Sequence, residues 1–393
     1  MPEQKSFDDA AGIIKFSLQF FGVLPLNGPP TIWKKQLSKF LTAFTILCVG
    51  SIIVQVIHLL LSTNLGVDKS IDTLNTVAAV AGGGLRMIFI AWNRNKIWRL
   101  MSTCEALWQD ASPIELRIIS VWTNRAKLLS LSLCLTTVVG AAMWIFSPII
   151  KQVTPGAVVS SRSWPYQINM DSSLSPRYEI IYAVQSASAV VCLCSIIGCD
   201  LVSPFLALNV CGQLKLIQSW LANIAKKESE HGERRIDRYV EKTLRKCTLR
   251  HQIVMDFCTQ LEESVCYSNL AQAMAGLYML GISAARLTRI QGSEIFQFFS
   301  TFSLAIGQLF LSCWPAECLI TESTMVAESI YAIPWYRCSL RIRNMVFFMM
   351  EQSQRPARLT AGKFVTYSLA TLGSIISSAM SLFMLLRTIY STT

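Results

Sequence analysis

The chain has 393 residues, of which 52% are hydrophobic and only 15% charged, and its formal net charge is +11. That balance is too apolar for a soluble protein of this size and places the chain in a bilayer. The positive charge alone would suit nucleic acid, but the basic residues fall in blocks between long apolar runs, where membrane topology puts them, so no nucleic-acid partner is expected.

Residues 1–39 form a cytoplasmic N-terminal segment in this reading. Asp8 and Asp9 mix there with Ile13, Ile14, Phe16, Leu18, Phe20 and Phe21 at partly helical spacing, which suggests an interfacial or re-entrant piece. No basic stretch followed by a short apolar core and a small-residue cleavage site opens the chain, so the first span is expected to direct insertion.

Seven runs are long and apolar enough to cross: Phe40–Leu61, Ile71–Trp92, Leu128–Ile150, Ile180–Val210, Val265–Ala285, Ile295–Trp314 and Phe364–Leu386. Lysines and arginines crowd before span one and between spans two and three, four and five, and six and seven, while the other side is poor in them. The basic side is expected to be cytoplasmic, with the N-terminus on it and the C-terminus outside, the reverse of a G-protein-coupled receptor.

Within span two, Arg86 either snorkels to the interface or pairs with Asp200 in span four. Span three places Thr137, Gly140 and Trp144 on or near one face; a glycine dent beside a tryptophan wall and ordinary helix packing both account for it. The stretch Lys151–Arg177, rich in proline, glycine and serine, is an outside loop, read as a lid or a solvated tether. The outer halves of spans two, three, four and six are nearly free of charge and offer Thr76, Thr137, Gln185, Ser186, Phe298, Phe299, Thr301 and Phe302, which suits a small neutral molecule or plain packing.

Between spans four and five, Lys226–Asp256 carries helix formers of both signs and reads as a cytoplasmic extension of helix five. Between spans six and seven, Thr321–Met350 is apolar on one side at Met325, Ile330, Ile333, Leu340 and Met345, and is expected to be one amphipathic helix. In the last span Thr371, Ser374, Ser378, Ser381 and Thr388 recur at steps of three and four, with Leu385 filling the gap. Such a stripe either lines water or lets helices pack closely; a hydroxyl track closed by one leucine ring has the makings of a dewetting gate.

Enzyme chemistry has little to stand on. The three histidines, His58, His231 and His251, lack ligand-spaced partners, and there is no nucleophile triad, phosphate loop or intramembrane carboxylate cluster. The thirteen cysteines lie mostly inside spans or on the basic side, as buried small hydrophobes or reduced thiols would, so neither metal nor cofactor is expected.

The ordered set Cys313-Trp314-Pro315-Ala316-Glu317, Glu328-Ser329-Ile330-Tyr331, Pro334-Trp335-Tyr336, Gln354-Arg355-Pro356 and Leu359-Thr360-Ala361-Gly362-Lys363-Phe364 closely resembles the signature of insect odorant receptors. The resemblance implies an all-α membrane protein of seven helices with inverted topology, one subunit of a tetrameric, ligand-gated, non-selective cation channel. Residues 40–320 would hold helices one to six and an outer-half pocket, and 321–358 a cytoplasmic anchor and linker. Residues 359–393 would form the pore-lining seventh helix and the extracellular C-terminus, so that the last helix is split.

The chain looks like an odorant-tuned subunit, because Lys215–Glu262 lacks the large cytoplasmic insertion of the family's co-receptor. It would then assemble with that co-receptor as a heterotetramer in the dendritic plasma membrane of olfactory neurons. The implied gate falls on Leu385, with Thr388 and Ile389 following and Ser381, Ser378 and Ser374 lining the pore below. The implied pocket for a small volatile odorant falls on Thr137, Gly140, Trp144, Val77, Val80, Tyr182, Ser186, Phe299 and Phe302, and Pro334, Trp335 and Tyr336 on a subunit interface. A seven-helix chemoreceptor without a pore of its own, gustatory-type or other, is the alternative, whereas the lack of internal repeats argues against a transporter.

Overall fold

A computed structural model describes residues 2–24, 32–62, 67–153, 175–228, 233–286 and 294–391. In chain order these form α1 (Pro2–Phe20), α2 (Ile32–Ser62), α3 (Val67–Trp92), α4 (Arg94–Gln109), α5 (Pro113–Val153), α6 (Arg177–Glu228), α7 (Glu233–Arg286) and α8 (Glu294–Tyr331). A short 3-10 turn at Trp335–Arg337 and α9 (Leu340–Ser353) follow, then β1 (Thr360–Ala361), β2 (Val365–Thr366) and α10 (Leu369–Ser391).

The bundle is helical because its long runs are apolar all round, as intramembrane helices are. Among the described residues, four helices are long and apolar enough to cross a membrane, within Ile32–Gln55, Pro113–Ala142, Arg177–Ile224 and Phe302–Arg337, and Val80–Trp92 and Leu369–Leu385 are shorter apolar segments. The expected loop Lys151–Arg177 falls almost wholly outside the described residues.

At the centre α6 packs against α5, α7 and α8, while α3 lies against α2, α6 and α7. Three consecutive glycines let α3 fit among those three neighbours: Cβ atoms on Gly82, Gly83 and Gly84 would stand 2.8 Å from Ala275, 3.1 Å from Ile196 and 2.7 Å from Val49. Small residues at such seams replace the hydrophobic drive that helices lack in lipid.

The expectation of an interfacial N-terminal piece is only partly met. Phe7, Ala11, Ile14, Leu18 and Phe21 are fully buried, and α1 docks on α5 and α6 as part of the core. Glu233 to Asp256 is continuous in α7 with the expected span Val265–Ala285, while Lys226–Glu228 ends α6; in the charged half of α7 Lys246 bonds Glu115 at 2.8 Å and stands 3.9 Å over the Trp220 ring. Thr321–Met350 is two helices rather than one: α8 runs unbroken to Tyr331, where Pro334 forces a turn, and α9 starts afresh at Leu340. Val326, Ile330, Ile333, Ile342 and Val346 are its buried side; of the residues expected there, Met325 and Leu340 are exposed and Met345 is half-buried. All thirteen cysteines are free thiols, ten of them buried.

Candidate functional site

The helix α10 is built on a polar base. β1 and β2 form an antiparallel hairpin whose turn holds Gly362 and Lys363 at φ +63°, and a Cβ on Gly362 would press within 2.7 Å of Leu270. Glu262 of α7 accepts from the Thr360 amide at 2.8 Å and from the Thr360 hydroxyl, and the Gly362 amide donates to the Cys266 carbonyl at 3.1 Å. The Tyr367 hydroxyl, fully buried, donates to the Asn269 carbonyl at 2.6 Å.

Pairing of Val365–Thr366 in this hairpin moves the helix start from the expected Phe364 to Leu369. There the Ser368 hydroxyl accepts from the Thr371 amide at 3.1 Å, and Glu317 of α8 accepts from the Leu369 amide at 3.1 Å. An N-cap hydroxyl and a carboxylate thus meet the free amides of the first turn. The 23 residues of α10 still span about 34 Å.

Leu372, Ile375 and Ala379 turn α10 toward α7 and α8, and Leu382 lies over Gly281. On a helix these positions cluster within about 60° of one direction; Ser374, Ser381, Leu385 and Thr388 lie roughly 100° or more away, and Ser378 about 80°. All five are exposed on the single chain, Leu385 at 58%. Thr371 leaves the stripe because it is half-buried beside the packing face, where its hydroxyl donates to the Thr366 carbonyl at 2.6 Å. The hydroxyls of Ser374, Ser381 and Thr388 donate back to Ala370, Ser377 and Met384 at 3.1, 3.1 and 2.9 Å. A hydroxyl bonded this way turns its lone pairs outward, so the face presents acceptors. The side chain of Ile389 lies outside the described residues.

Of the sequence-derived pocket residues, Thr137 and Gly140 continue the inward stripe Ile119, Thr123, Ala126, Ser130, Leu133 on α5. Tyr182 on α6 is partly buried and its hydroxyl donates to the Ile145 carbonyl at 2.5 Å, tying α6 to α5; Ser186 follows one turn later. Val80 on α3 is partly buried against the main core. Phe302 sits in a separate cluster with Leu280, Ala305, Leu309 and Ala379, the one that holds α10. The side chains of Val77, Trp144 and Phe299 lie outside the described residues.

Arg86 and Asp200 form an ion pair, so the pairing expected from sequence holds, and both are buried at 5% and 3% exposure. Gln308 of α8 was not foreseen: its amide donates to the other Asp200 oxygen at 3.1 Å. Its own carbonyl accepts from Gln272 of α7 at 3.1 Å, and the Ser312 hydroxyl donates to Gln272 at 3.0 Å. In the turn before α9, Tyr336 is exposed and Trp335 leans on Phe347 at 5.3 Å, beside the exposed Leu340 and Phe348.

A bundle of long apolar helices with a buried charge pair inside it has the architecture of an integral membrane protein. A sequence profile described as 7tm Odorant receptor matches residues 67–380, and the chain belongs to that family, the insect odorant receptors. It is 28% identical over 233 residues to odorant receptor 13a of Drosophila melanogaster, a match spanning 54% of either chain, so about half the length of that relative. To odorant receptor 22c of the same species it is 25% identical over 319 residues, 77% of each chain. The odorant receptor coreceptor of Harpegnathos saltator matches over 140 residues at 28% identity, 35% of this chain and 29% of that one. The olfactory receptor OR5 of Machilis hrabei, solved in complex with eugenol, shares the fold with a TM-score of 0.80 over 98% of both chains at 13% identity.

Proposed function

We propose that this chain is the odorant-binding subunit of a heteromeric, ligand-gated, non-selective cation channel in the dendritic membrane of olfactory neurons. Seven helices cross with the basic end in the cytoplasm, α8 and α9 join subunits near Pro334, Trp335 and Tyr336, and the co-receptor of the family completes a tetramer. A small apolar odorant binds in the outer half among α3, α5, α6 and α8. It shifts the equilibrium toward an arrangement in which α10 moves outward, by as much as its affinity differs between the two states.

The observation that carries this reading is the orientation of α10. Its packing face is spent on α7 and α8, and its hydroxyl face is turned away from the chain's own bundle. Around an axis, outward lone pairs would meet permeant cations while Leu385 supplies an apolar ring that dewets and closes. No charge sits on the stripe, in keeping with weak ionic selectivity.

Leu385→Ser replaces the apolar ring member by a hydroxyl. Expressed with a co-receptor, it is expected to raise the resting conductance in the absence of odorant. A resting current equal to that of the unmutated pair would remove Leu385 as the gate.

A further inference from the structure

The side of α5 turned away from its neighbours α1, α6 and α8 carries one apolar stripe. On a helix Leu128, Leu135, Val139 and Phe146 lie within about 20° of one direction. All four are exposed, Leu128 at 69% and Leu135 at 66%. From Leu128 to Phe146 the stripe rises about 27 Å, close to the roughly 30 Å of a hydrocarbon core. The hydroxyls beside it are spent within the helix, as hydrocarbon requires: Ser132 donates to the Leu129 carbonyl and Thr136 to that of Ser132, each at 2.9 Å. Such a face suits acyl chains.

Below Leu128 the helix turns basic. Arg125 is exposed about 5 Å further down the axis, the depth of lipid phosphates, with Lys127 half-buried at its flank and Arg117 exposed roughly two turns beyond. The Arg125 guanidinium stands 4.5 Å from the centre of the buried Trp122 ring. Stacking holds the guanidinium in place and leaves its N–H groups, which point along its plane, for a partner. The chain supplies none: among the described residues the side chains of Arg117, Arg125 and Lys127 make no ion pair or hydrogen bond. Glu115, the sole acid of α5, is held by Lys246 at 2.8 Å, and Glu322 of the neighbouring α8 by Gln218 at 2.8 Å.

We propose that this end of α5 binds an anionic phospholipid, with Arg125 and Lys127 on its phosphate and its acyl chains along Leu128, Leu135 and Val139. The lipid belongs to the leaflet on the basic side of the bundle, the cytoplasmic one in the orientation proposed above, where anionic lipids concentrate. A planar guanidinium takes two phosphate oxygens at once. A zwitterionic headgroup cancels its phosphate with a cation of its own, whereas an anionic one sets a net negative charge against three unmatched basic side chains. The inference does not depend on whether the chain conducts.

The test is native mass spectrometry of the purified full-length chain, titrated in detergent with dioleoylphosphatidylglycerol or dioleoylphosphatidylcholine. The anionic lipid is expected to bind at least about fivefold more tightly, the factor that one basic residue near an anionic surface contributes. Arg125→Gln and Lys127→Gln are each expected to shrink that ratio. Arg125→Lys keeps the charge and loses the planar fork, so it is expected to restore only part of the ratio. Arg99→Gln, which removes an exposed charge from α4, is expected to leave the ratio unchanged. Equal binding of the two lipids, an undiminished ratio in Arg125→Gln, or the same fall in Arg99→Gln as in Arg125→Gln would each overturn the inference. So would loss of the preference on adding the co-receptor, which would make this face a contact between subunits.

Discussion

Exchanging the two buried charges is the sharpest trial of the packing derived above. Arg86 and Asp200 are at 5% and 3% exposure, so either alone leaves its partner charged and unmatched inside the bundle. Breaking a buried pair from one side costs about 3–5 kcal/mol, enough to lower the folding equilibrium constant more than about a hundredfold. Arg86→Asp or Asp200→Arg alone goes further, placing two like charges together. The double exchange Arg86→Asp with Asp200→Arg restores opposite charges, and Gln308 meets the new guanidinium by rotating its amide to present oxygen. Thermal unfolding and surface yield of the fluorescently tagged chain are the assays. Each single change is expected to melt the protein at markedly lower temperature, and the exchange to recover at least half of the loss. A double variant that loses the sum of both single effects would refute a direct contact between α3 and α6 at this point.

Glu262→Gln weakens the clamp on Thr360 and is expected to cost roughly 1–3 kcal/mol; the measurement is thermal stability, and an unchanged transition would show the clamp to be idle. Gln308→Leu removes the donor to Asp200 and is expected to lower odorant potency while the resting current of a Leu385→Ser background persists, read by whole-cell recording. His251 is buried on the basic end, and burial holds its imidazole below the usual range. Because the folded state binds that proton less readily than the unfolded one, stability is full above about pH 6.5 and falls as pH drops through that value. Melting of the solubilised protein between pH 7.5 and pH 5.5 is expected to show the loss, and His251→Gln to blunt it.

What could be read from the chain alone was whatever repeats or cannot be left unpaired. Hydropathy marks the long helices, and two opposite charges inside apolar runs leave few alternatives to meeting, as Arg86 and Asp200 do. The Ser374, Ser378, Ser381, Leu385 stripe was legible through its period. Where the pattern misled, a competing local interaction won. Phe364–Tyr367 is apolar enough for a span, but its backbone pairs with Thr360–Ala361, and Ser368 caps the helix behind it. Thr371 matched the stripe by spacing but is half-buried beside the packing face, where it bonds the Thr366 carbonyl. Phe302, expected in the pocket, is partly buried against the cluster that seats α10, a contact that no pattern in the sequence signals. The base of α10 was invisible for another reason: Glu262 and Thr360, Glu317 and Leu369, Asp200 and Gln308 stand 98, 52 and 108 residues apart, and no periodicity links them.

In the proposed mechanism those distant pairs are the route by which a ligand bound against α6 would act on α10, which leans on α7 and α8. Asp200 on α6 is bonded to Gln308 on α8, the Gln308 carbonyl to Gln272 on α7, and Glu262 and Asn269 of α7 to the hairpin. Glu317, further along α8, meets the first turn of α10. The bond from Tyr367 to Asn269 is buried, those at Gln308, Gln272 and Glu262 are part-buried and that at Glu317 is exposed; the more buried of them resist partial stretching, because a half-made bond in a low dielectric is worse than a whole one or none. A shift of α6 at Asp200 therefore either carries α8 with it or exchanges one complete set of bonds for another, and both alternatives are discrete. Apolar contacts alone would let the helices slide by fractions of an ångström and dissipate the ligand's effect. In the proposed channel this polar chain would limit the bundle to a small number of arrangements between which an odorant's differential affinity could choose.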